Sequence, residues 1–489
     1  MADSYSYARL LLLIGVVGLA AVLSNRITER LRVPAPALLL VAAAIAVKVV
    51  PALHPPDERS VNQLVTVALV LILFDGGLHI GWSRFRQAAR PIVVVGVAGT
   101  FLTTGGAALF LHLAIGLDWY PALLVATAVA PTDPAVVFAV LGRRQIAGHS
   151  GTLLEGESGA NDPVGIALMA SLLAAGGLSG GAFARVSGEF CLQLGVGALV
   201  GLVGGHALLW FIRRVPLPSE GLYPVRTLAA ALVLFGLAVL AHGSGFLAVF
   251  VAGIYLGDQR APYKREIERF HSATASLGEI VAFVALGLTV KLADLTRAEV
   301  WVPGLLLALV LTVLIRPVTV GACLARSGLN RAERGFVLFA GLKGAVPILL
   351  GSLLLAAPLA EASRLYGIVV VVVVFSVVVQ GGLLPTVARL LRLPMRVVEP
   401  EPWALGVRLR DEPDGVHRLT VGAGSPADGR SIAELADLPG SAWVSIVVRA
   451  GHLLPVTGQT VLQPADDALI LADPEAAAGL RALFGAEPG

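Results

Sequence analysis

Thirteen windows of about 15–25 mostly apolar residues run through the first 396 positions, centred near 17, 42, 70, 101, 130, 163, 200, 234, 250, 283, 309, 347 and 376. Each is long enough to span roughly 30 Å of hydrocarbon. In lipid a spanning segment must satisfy its backbone polar groups internally, so runs of this length are expected to be α-helices. The fold class expected is an all-α polytopic membrane protein of about thirteen spans. Only His242-Gly243-Ser244-Gly245 separates the eighth window from the ninth, which leaves a count of twelve open. Charged residues make up 14% of the 489, against roughly 25% in a soluble domain, so a water-covered globule is excluded. Cys191 and Cys323 both lie in apolar runs, which excludes a disulfide framework.

The few charges are unevenly placed. Residues 1–396 hold 30 Lys and Arg against 20 Asp and Glu, a net +10, while residues 397–489 hold 6 Arg against 13 acids, a net −7. The long apolar runs stop where the sign changes. The organisation read is a transmembrane domain over 1–396, a linker over 397–402 and a water-soluble domain over 403–489. In that tail, alternating runs at Val416–Val421, Val444–Val448 and Ala468–Leu471, with helical patterns near Ser431–Ala436 and Glu475–Phe484, indicate a small α+β domain. In the first part, 21 basic residues fall in alternate loops, from Arg26, Arg84 and Arg143 to Arg389, and only Arg59, Arg185, Lys291, Arg297 and Arg364 in the others. The positive-inside rule then puts the N-terminus outside and the tail in the cytoplasm, with an odd number of spans. The basic excess reflects orientation, not nucleic-acid binding. The run from Arg9 to Leu23 lacks a basic n-region and a cleavage site, so it is kept as a helix.

An ionisable side chain at the centre of a spanning helix costs about 2.5–3.5 kcal/mol to insert and is a functional candidate by default. Three groups stand out. Window five carries Thr132-Asp133-Pro134, and window six opens with Glu157-Ser158-Gly159-Ala160-Asn161-Asp162-Pro163. Arg316 in window eleven is joined by Lys343, in Gly341-Leu342-Lys343-Gly344-Ala345-Val346-Pro347 of window twelve. At i,i+4 on a helix, Glu157 shares a face with Asn161, and Ser158 with Asp162; oxygen donors and a titratable carboxylate converge. Pro134, Pro163 and Pro347 lack an N–H and leave the carbonyls of Ala130, Gly159 and Lys343 without helical partners. Carbonyls beside carboxylates suit a dehydrated K⁺ or Na⁺, and unwound backbone at membrane depth is tolerated where it lines a cavity. Windows five and twelve, each with a polar, proline-containing interruption, are seven spans apart. That fits inverted repeats over windows one to six and eight to thirteen, in which these two would run in opposite directions and cross near the midplane.

Five motifs in chain order carry a resemblance: Leu73-Phe74-Asp75-Gly76-Gly77-Leu78, Thr132-Asp133-Pro134, Glu157 to Pro163, Gly243-Ser244-Gly245-Phe246-Leu247-Ala248-Val249-Phe250-Val251-Ala252-Gly253, and Gly341 to Pro347. They resemble the cation:proton antiporter-1 family, and within it the bacterial NhaP2-type K⁺/H⁺ antiporters, over windows two to thirteen. Residues 403–485 resemble the RCK-C (TrkA-C) domain of K⁺-conductance proteins, with Ala465-Asp466 in place of the usual Gly-Asp. The resemblance implies an NhaA-like fold with two broken, crossing helices, a homodimer, and exchange of a monovalent cation for a proton across the inner membrane. It implies that Asp162 binds cation and proton in turn, that Asn161 fills a place held by Asp in electrogenic relatives, and that Ser158 is a cation ligand. Thr132 and Asp133 would sit at the crossing, and Glu157 would form a structural ion pair with Arg316. Lys343 stands where Arg is common, as a counter-charge to the broken helix's carbonyl ends or as an interfacial snorkel. For Asp133, a helix-terminus cap competes with the ion path. Asp75 and His79, at i,i+4 in window three, read as a local hydrogen bond in preference to a proton relay.

Other classes fit less well. Gly156-Glu157-Ser158-Gly159-Ala160 falls one glycine short of G-x-S-x-G with no His in its window, and H-E-x-x-H and Walker A are missing; no enzyme is expected. No G-x-G-x-x-G serves a nicotinamide cofactor, so the tail is expected to take some other small regulatory ligand. A K⁺ channel would need Thr-Val-Gly-Tyr-Gly, which is absent. The expectation is K⁺/H⁺ exchange, with Na⁺/H⁺ exchange as the alternative. Asn161 in place of a second acid makes the exchange electroneutral, and activity should rise with pH as Asp162 loses its proton.

Overall fold

From the second onward the apolar windows carry helical backbone, the fifth and the twelfth with a break, in the computed structural model, which describes residues 15, 18–19, 35–49, 57–141, 144–146, 149–178, 181–393, 395–397, 415–435, 442–449 and 452–486. Most of the first window, and nearly all of the linker, lie outside the described residues. The helices are α1 (Ala35–Val49), α2 (Glu58–Val93), α3 (Thr100–Phe110), α4 (Trp119–Val129), α5 (Pro134–Leu141), α6 (His149–Ala175), α7 (Ala182–Arg214), α8 (Leu222–Leu240), α9 (Gly245–Gly257), α10 (Lys264–Thr289), α11 (Ala298–Val310), α12 (Arg316–Cys323), α13 (Arg331–Phe339), α14 (Ala345–Ala356), α15 (Ala362–Phe375) and α16 (Gly381–Leu390). Among the described residues six continuous helical stretches are long and apolar enough to cross a membrane.

The loop expected between the third and fourth windows is not one. Helical backbone runs from Glu58 through the π-helical turn Val94–Gly99 to Ile115, interrupted inside α2 only by Gly81 at φ 65°, ψ 164°. That positive φ favours glycine, and a Cβ there would meet the Asp258 carboxylate. Asp258 in turn accepts the N–H of Ser83, so the chain restarts its helix on a cap from the end of α9.

Two packing groups emerge. In one, α2 lies on α9 and α10, α1 on α10, and α7 on α8 and α9. In the other, α4 lies on α3, α14 and α15, α11 on α15, and α12 on α13. The helix α6 touches both, through α2 and α7 on one side and α4 on the other. Two three-residue strands, β1 (Arg144–Ile146) and β2 (Met395–Val397), pair antiparallel and tie the segment after α5 to the one after α16.

The chain divides into two compact units, Met1–Glu399 and Pro400–Gly489. The second is a five-stranded antiparallel sheet in the order β5-β4-β6-β3-β7, formed by β3 (Val416–Val421), β4 (Trp443–Arg449), β5 (His452–Leu454), β6 (Asp467–Leu471) and β7 (Gly485–Ala486). Helix α17 (Ala477–Phe484) packs on β3, and Leu419, Val447, Ile470, Leu480 and Phe484 form the core. The helical pattern near Ser431 yields only the 3₁₀ turn Ile432–Glu434. Its N–H groups at Ile432 and Ala433 donate to the carbonyls of Thr460 and Gly458, so the neighbouring segment holds this backbone.

Candidate functional site

Two helices stop in mid-bundle and meet at their ends. Between α4 and α5, Pro131 and Pro134 remove two N–H donors within four residues, and Pro134 restarts the helix at the first position, where a missing N–H is tolerated. Between α13 and α14 the backbone is unwound from Ala340 to Gly344. The start of α13 is fixed by reciprocal bonds between Asn330 and Glu333. The unwound segments touch: the N–H of Asp133 donates to the Leu342 carbonyl at 2.8 Å. A Cβ on Gly344 would collide with the Asp133 carboxylate, so this close approach requires glycine.

Lys343 lies buried at the crossing, 5% exposed. Its Nζ donates to the carbonyls of Ala130 (2.9 Å) and Pro131 (3.1 Å), and its own N–H donates to Ser376 Oγ at 3.0 Å. Of the carbonyls that the sequence suggested would face a cation, that of Ala130 is therefore held by a lysine. Pro163 gives a second difference. It sits inside the unbroken α6, since one proline removes one rung of the ladder and packing against α2, α4 and α7 keeps the remainder helical.

The polar face of α6 divides its work among its residues. Asn161 donates through Nδ2 to Thr132 Oγ1 (2.8 Å) and accepts, at 3.4 Å, from the Thr132 N–H, which fastens α6 to the first break. Asp162 lies one residue further on, 7% exposed. Ser158 Oγ donates to its Oδ2 over a long 3.4 Å, while Oδ1 is shielded and has no hydrogen-bond partner among the described residues. A buried carboxylate oxygen without a partner is costly and calls for an explanation such as an ion or a proton. Thr132, Ser158 and Asn161 are all buried around it, and Asp133 is half-buried.

Glu157, on the neighbouring face, accepts from both terminal nitrogens of Arg316 at 2.7 and 3.0 Å. The same guanidinium donates to the carbonyls of Leu338 (2.9 Å) and Val337 (3.2 Å), at the end of α13. One arginine on α12 thus joins α6 to the second break. Further out, Asp75 and His79 lie 3.3 Å apart, with Ser272 of α10 bonded to both.

Sequence reasoning missed Ser376 and Gln380. They bracket the π-helical turn Ser376–Gln380 between α15 and α16. Gln380 donates to the Phe339 carbonyl at 2.6 Å and accepts from Ser376 (3.1 Å) and Thr312 (3.3 Å). Together they satisfy the Phe339 carbonyl and the Lys343 N–H inside the second break. The available signal was two polar residues at i,i+4 within a run of valines.

This geometry can be set beside known proteins. Residues 16–390 match the sodium/hydrogen exchanger transmembrane family, and residues 416–485 the TrkA-C domain. The K⁺/H⁺ antiporter NhaP2 of Shewanella sp. (strain MR-4) is 30% identical over 99% of this chain and 85% of its own length. The Na⁺/H⁺ antiporter NhaH of Halobacillus aidingensis is 28% identical over 73% of this chain and 91% of its own. The solved structure of the sodium proton antiporter MjNhaP1 from Methanocaldococcus jannaschii superposes with a TM-score of 0.66 at 24% identity, covering 78% of this chain and 99% of that one, and shares its fold. The chain belongs to the sodium/hydrogen exchanger family and carries a TrkA-C domain C-terminal to its transmembrane part.

Proposed function

We propose that this chain is a secondary antiporter exchanging one monovalent cation for one proton, with Asp162 as the shared site. The observation that carries this reading is the shielded Asp162 carboxylate, one oxygen without a partner among the described residues, beside two unwound helix segments that touch. Coupling needs only competition: a cation and a proton cannot occupy one carboxylate together, and the carrier moves when that charge is neutralised. Ser158 and the half-buried Asp133 complete the polar surroundings of the cation, while Thr132 and Asn161 brace the site through their mutual bonds. Lys343 offsets the negative carbonyl ends of the first break. With Asn161 neutral, each half-cycle moves one charge, and the exchange is electroneutral.

K⁺ is the favoured cation, because the relatives named K⁺/H⁺ antiporters match across the transmembrane part and the tail. Na⁺ is the second reading, supported by the relative named a Na⁺/H⁺ antiporter. The chain would sit in the cell membrane as a homodimer of about thirteen spans built from inverted repeats, N-terminus outside and tail in the cytoplasm. The group containing α1, α2 and α7–α10 would be the scaffold against which the other group moves. The TrkA-C domain would regulate exchange by binding a small cytoplasmic ligand; a variant ending at Val397 with wild-type activity and pH response would argue against that role.

The test is dye-reported proton movement in proteoliposomes under matched KCl and NaCl pulses. Wild type should respond more strongly as the pH rises and Asp162 loses its proton, independently of an imposed voltage. Asp162→Asn should be silent; cation-driven proton movement in that variant would refute the assignment.

A further inference from the structure

Phe250 stands where the scaffold group meets the helix that carries Asp162. It lies in α9, a helix of 13 residues that glycines clamp from two neighbours. A Cβ on Gly77 of α2 would meet the Phe250 carbonyl, and one on Gly201 of α7 would meet the Ala248 carbonyl and the Val251 side chain. Only glycine permits so close an approach of backbone, and it leaves α9 little freedom to shift. The same helix packs against α6. There the Phe250 ring, 2% exposed, is seated on Gly159, where an added Cβ would fall among the ring carbons. Gly159 and Asp162 are at i,i+3 and so are neighbours on the surface of α6. Helical side chains lean toward the N-terminus, which carries the Asp162 carboxylate back over the turn of Ser158 and Gly159; its bond from Ser158 shows that lean. The ring therefore flanks the carboxylate. It offers no hydrogen bond there, so what it contributes is the exclusion of water. Asn161 ties α6 to the first break and Glu157 ties it to Arg316 of α12, so α6 travels with the moving group while the ring stays with α9.

We infer that Phe250 is the seal of the transport site: fixed on α9 and seated on Gly159, its ring keeps water from linking Asp162 to both sides of the membrane at once. This rests on the reading of Asp162 as the transport site. Coupling by competition needs such a seal, because a proton that can leave through a water chain does not wait for a cation; closing a site against water prevents that leakage. Gly159 is the other half of the device, since a side chain there would hold the ring off α6.

The experiment uses the full chain in liposomes and reads proton movement by dye under two challenges. One is a KCl or NaCl pulse; the other is a voltage imposed by a gradient of a permeant anion, with the cations equal on both sides. Wild type should show no voltage-driven proton movement above protein-free liposomes. Phe250→Ala should show it, several-fold above that background, and should lose it when Asp162→Asn is added, because the leak runs through that carboxylate. Phe250→Leu keeps most of the volume and should leak less; where Phe250→Ala fails to insert, Phe250→Leu carries the test. Gly159→Ala should cut cation-driven exchange about tenfold, which is ~1.4 kcal/mol, and Gly159→Ala/Phe250→Ala should recover part of that loss. Phe250 variants that stay tight under voltage, even with lowered thermal stability, would mean that the ring only fills space and would overturn the inference. So would a leak that persists with Asp162→Asn. If Asp162→Asn alone still exchanges ions, the underlying site assignment fails; if it is silent while the Phe250 variants stay tight, only the seal fails.

Discussion

Replacing Glu157 with Gln tests whether the ion pair to Arg316 fastens α6 to α12 and to the second break. Both residues are at most 5% exposed, and the guanidinium reaches both carboxylate oxygens, at 2.7 and 3.0 Å. With charge centres about 4 Å apart and an effective dielectric of about 20, the attraction is about 4 kcal/mol. Breaking a buried pair from one side costs about 3–5 kcal/mol for the same reason. Arg316 keeps the carbonyls of Leu338 and Val337 in the variant, which softens the loss. Glu157→Gln should therefore destabilise by about 3 kcal/mol, at the low end of that range. Arg316→Met should cost more, because it strands the Glu157 charge and frees two carbonyls, each adding about 1–3 kcal/mol if left unsatisfied. The Glu157→Leu/Arg316→Met double variant removes both charges and should lie well below the sum of the single losses. The assay is SDS-titrated unfolding in bicelles followed by tryptophan fluorescence, with the two singles and the double closing a thermodynamic cycle. A coupling energy below about 0.5 kcal/mol would refute the pair as a fastener, as would a Glu157→Gln variant of wild-type stability.

The remaining predictions concern backbone support and the tail. Gln380→Ala leaves the Phe339 carbonyl and Ser376 hydroxyl short of a partner, and should cost about 1–3 kcal/mol in the same unfolding assay, with Thr312→Val much milder. Gly344→Ala should abolish exchange in proteoliposomes while the protein still inserts, because the added methyl group displaces Asp133 from the crossing; wild-type exchange would contradict the close approach. In the tail, Asp466 is fully buried and accepts from Arg449 Nε (2.8 Å), Arg449 Nη2 (2.7 Å) and the Gln463 N–H (2.8 Å). Asp466→Asn should open this domain to limited proteolysis, and an unchanged digestion pattern would count against it. The Ser431 N–H holds the Glu434 carboxyl below its usual range. A depressed folded-state value stabilises above the ordinary carboxylate range and is lost as pH falls through it. The stability gap between wild type and Glu434→Gln should accordingly close in acid.

Much of the helical layout was legible because its signals are local. Length and apolarity mark each window, and the i,i+4 spacing of Ser158 and Asp162 puts them on one helix face, where Ser158 donates to Asp162. The kink at Gly81 was not legible, since arginines at 84, 86 and 90 resemble those of a loop while the restart depends on Asp258, far along the chain. Ser376 and Gln380 are harder, because their value appears only once the second break is placed beside them.

The prolines show why the breaks were only half readable. Pro163 and Pro134 look alike in sequence, each following an acid in a polar motif, yet only the second lies at a break. Pro131 adds a second missing donor near Pro134, but two lost rungs do not by themselves hold a chain unwound in a bundle. The carbonyls of Ala130 and Pro131 must go somewhere, and they go to Lys343, more than two hundred residues away. Lys343 can reach them because its own segment is unwound, held by Ser376 and crossing Asp133 through Leu342. Each break thus supplies what the other lacks. A local reading can find the residues that permit unwinding, but whether the backbone unwinds is decided by a partner that only the folded chain brings near.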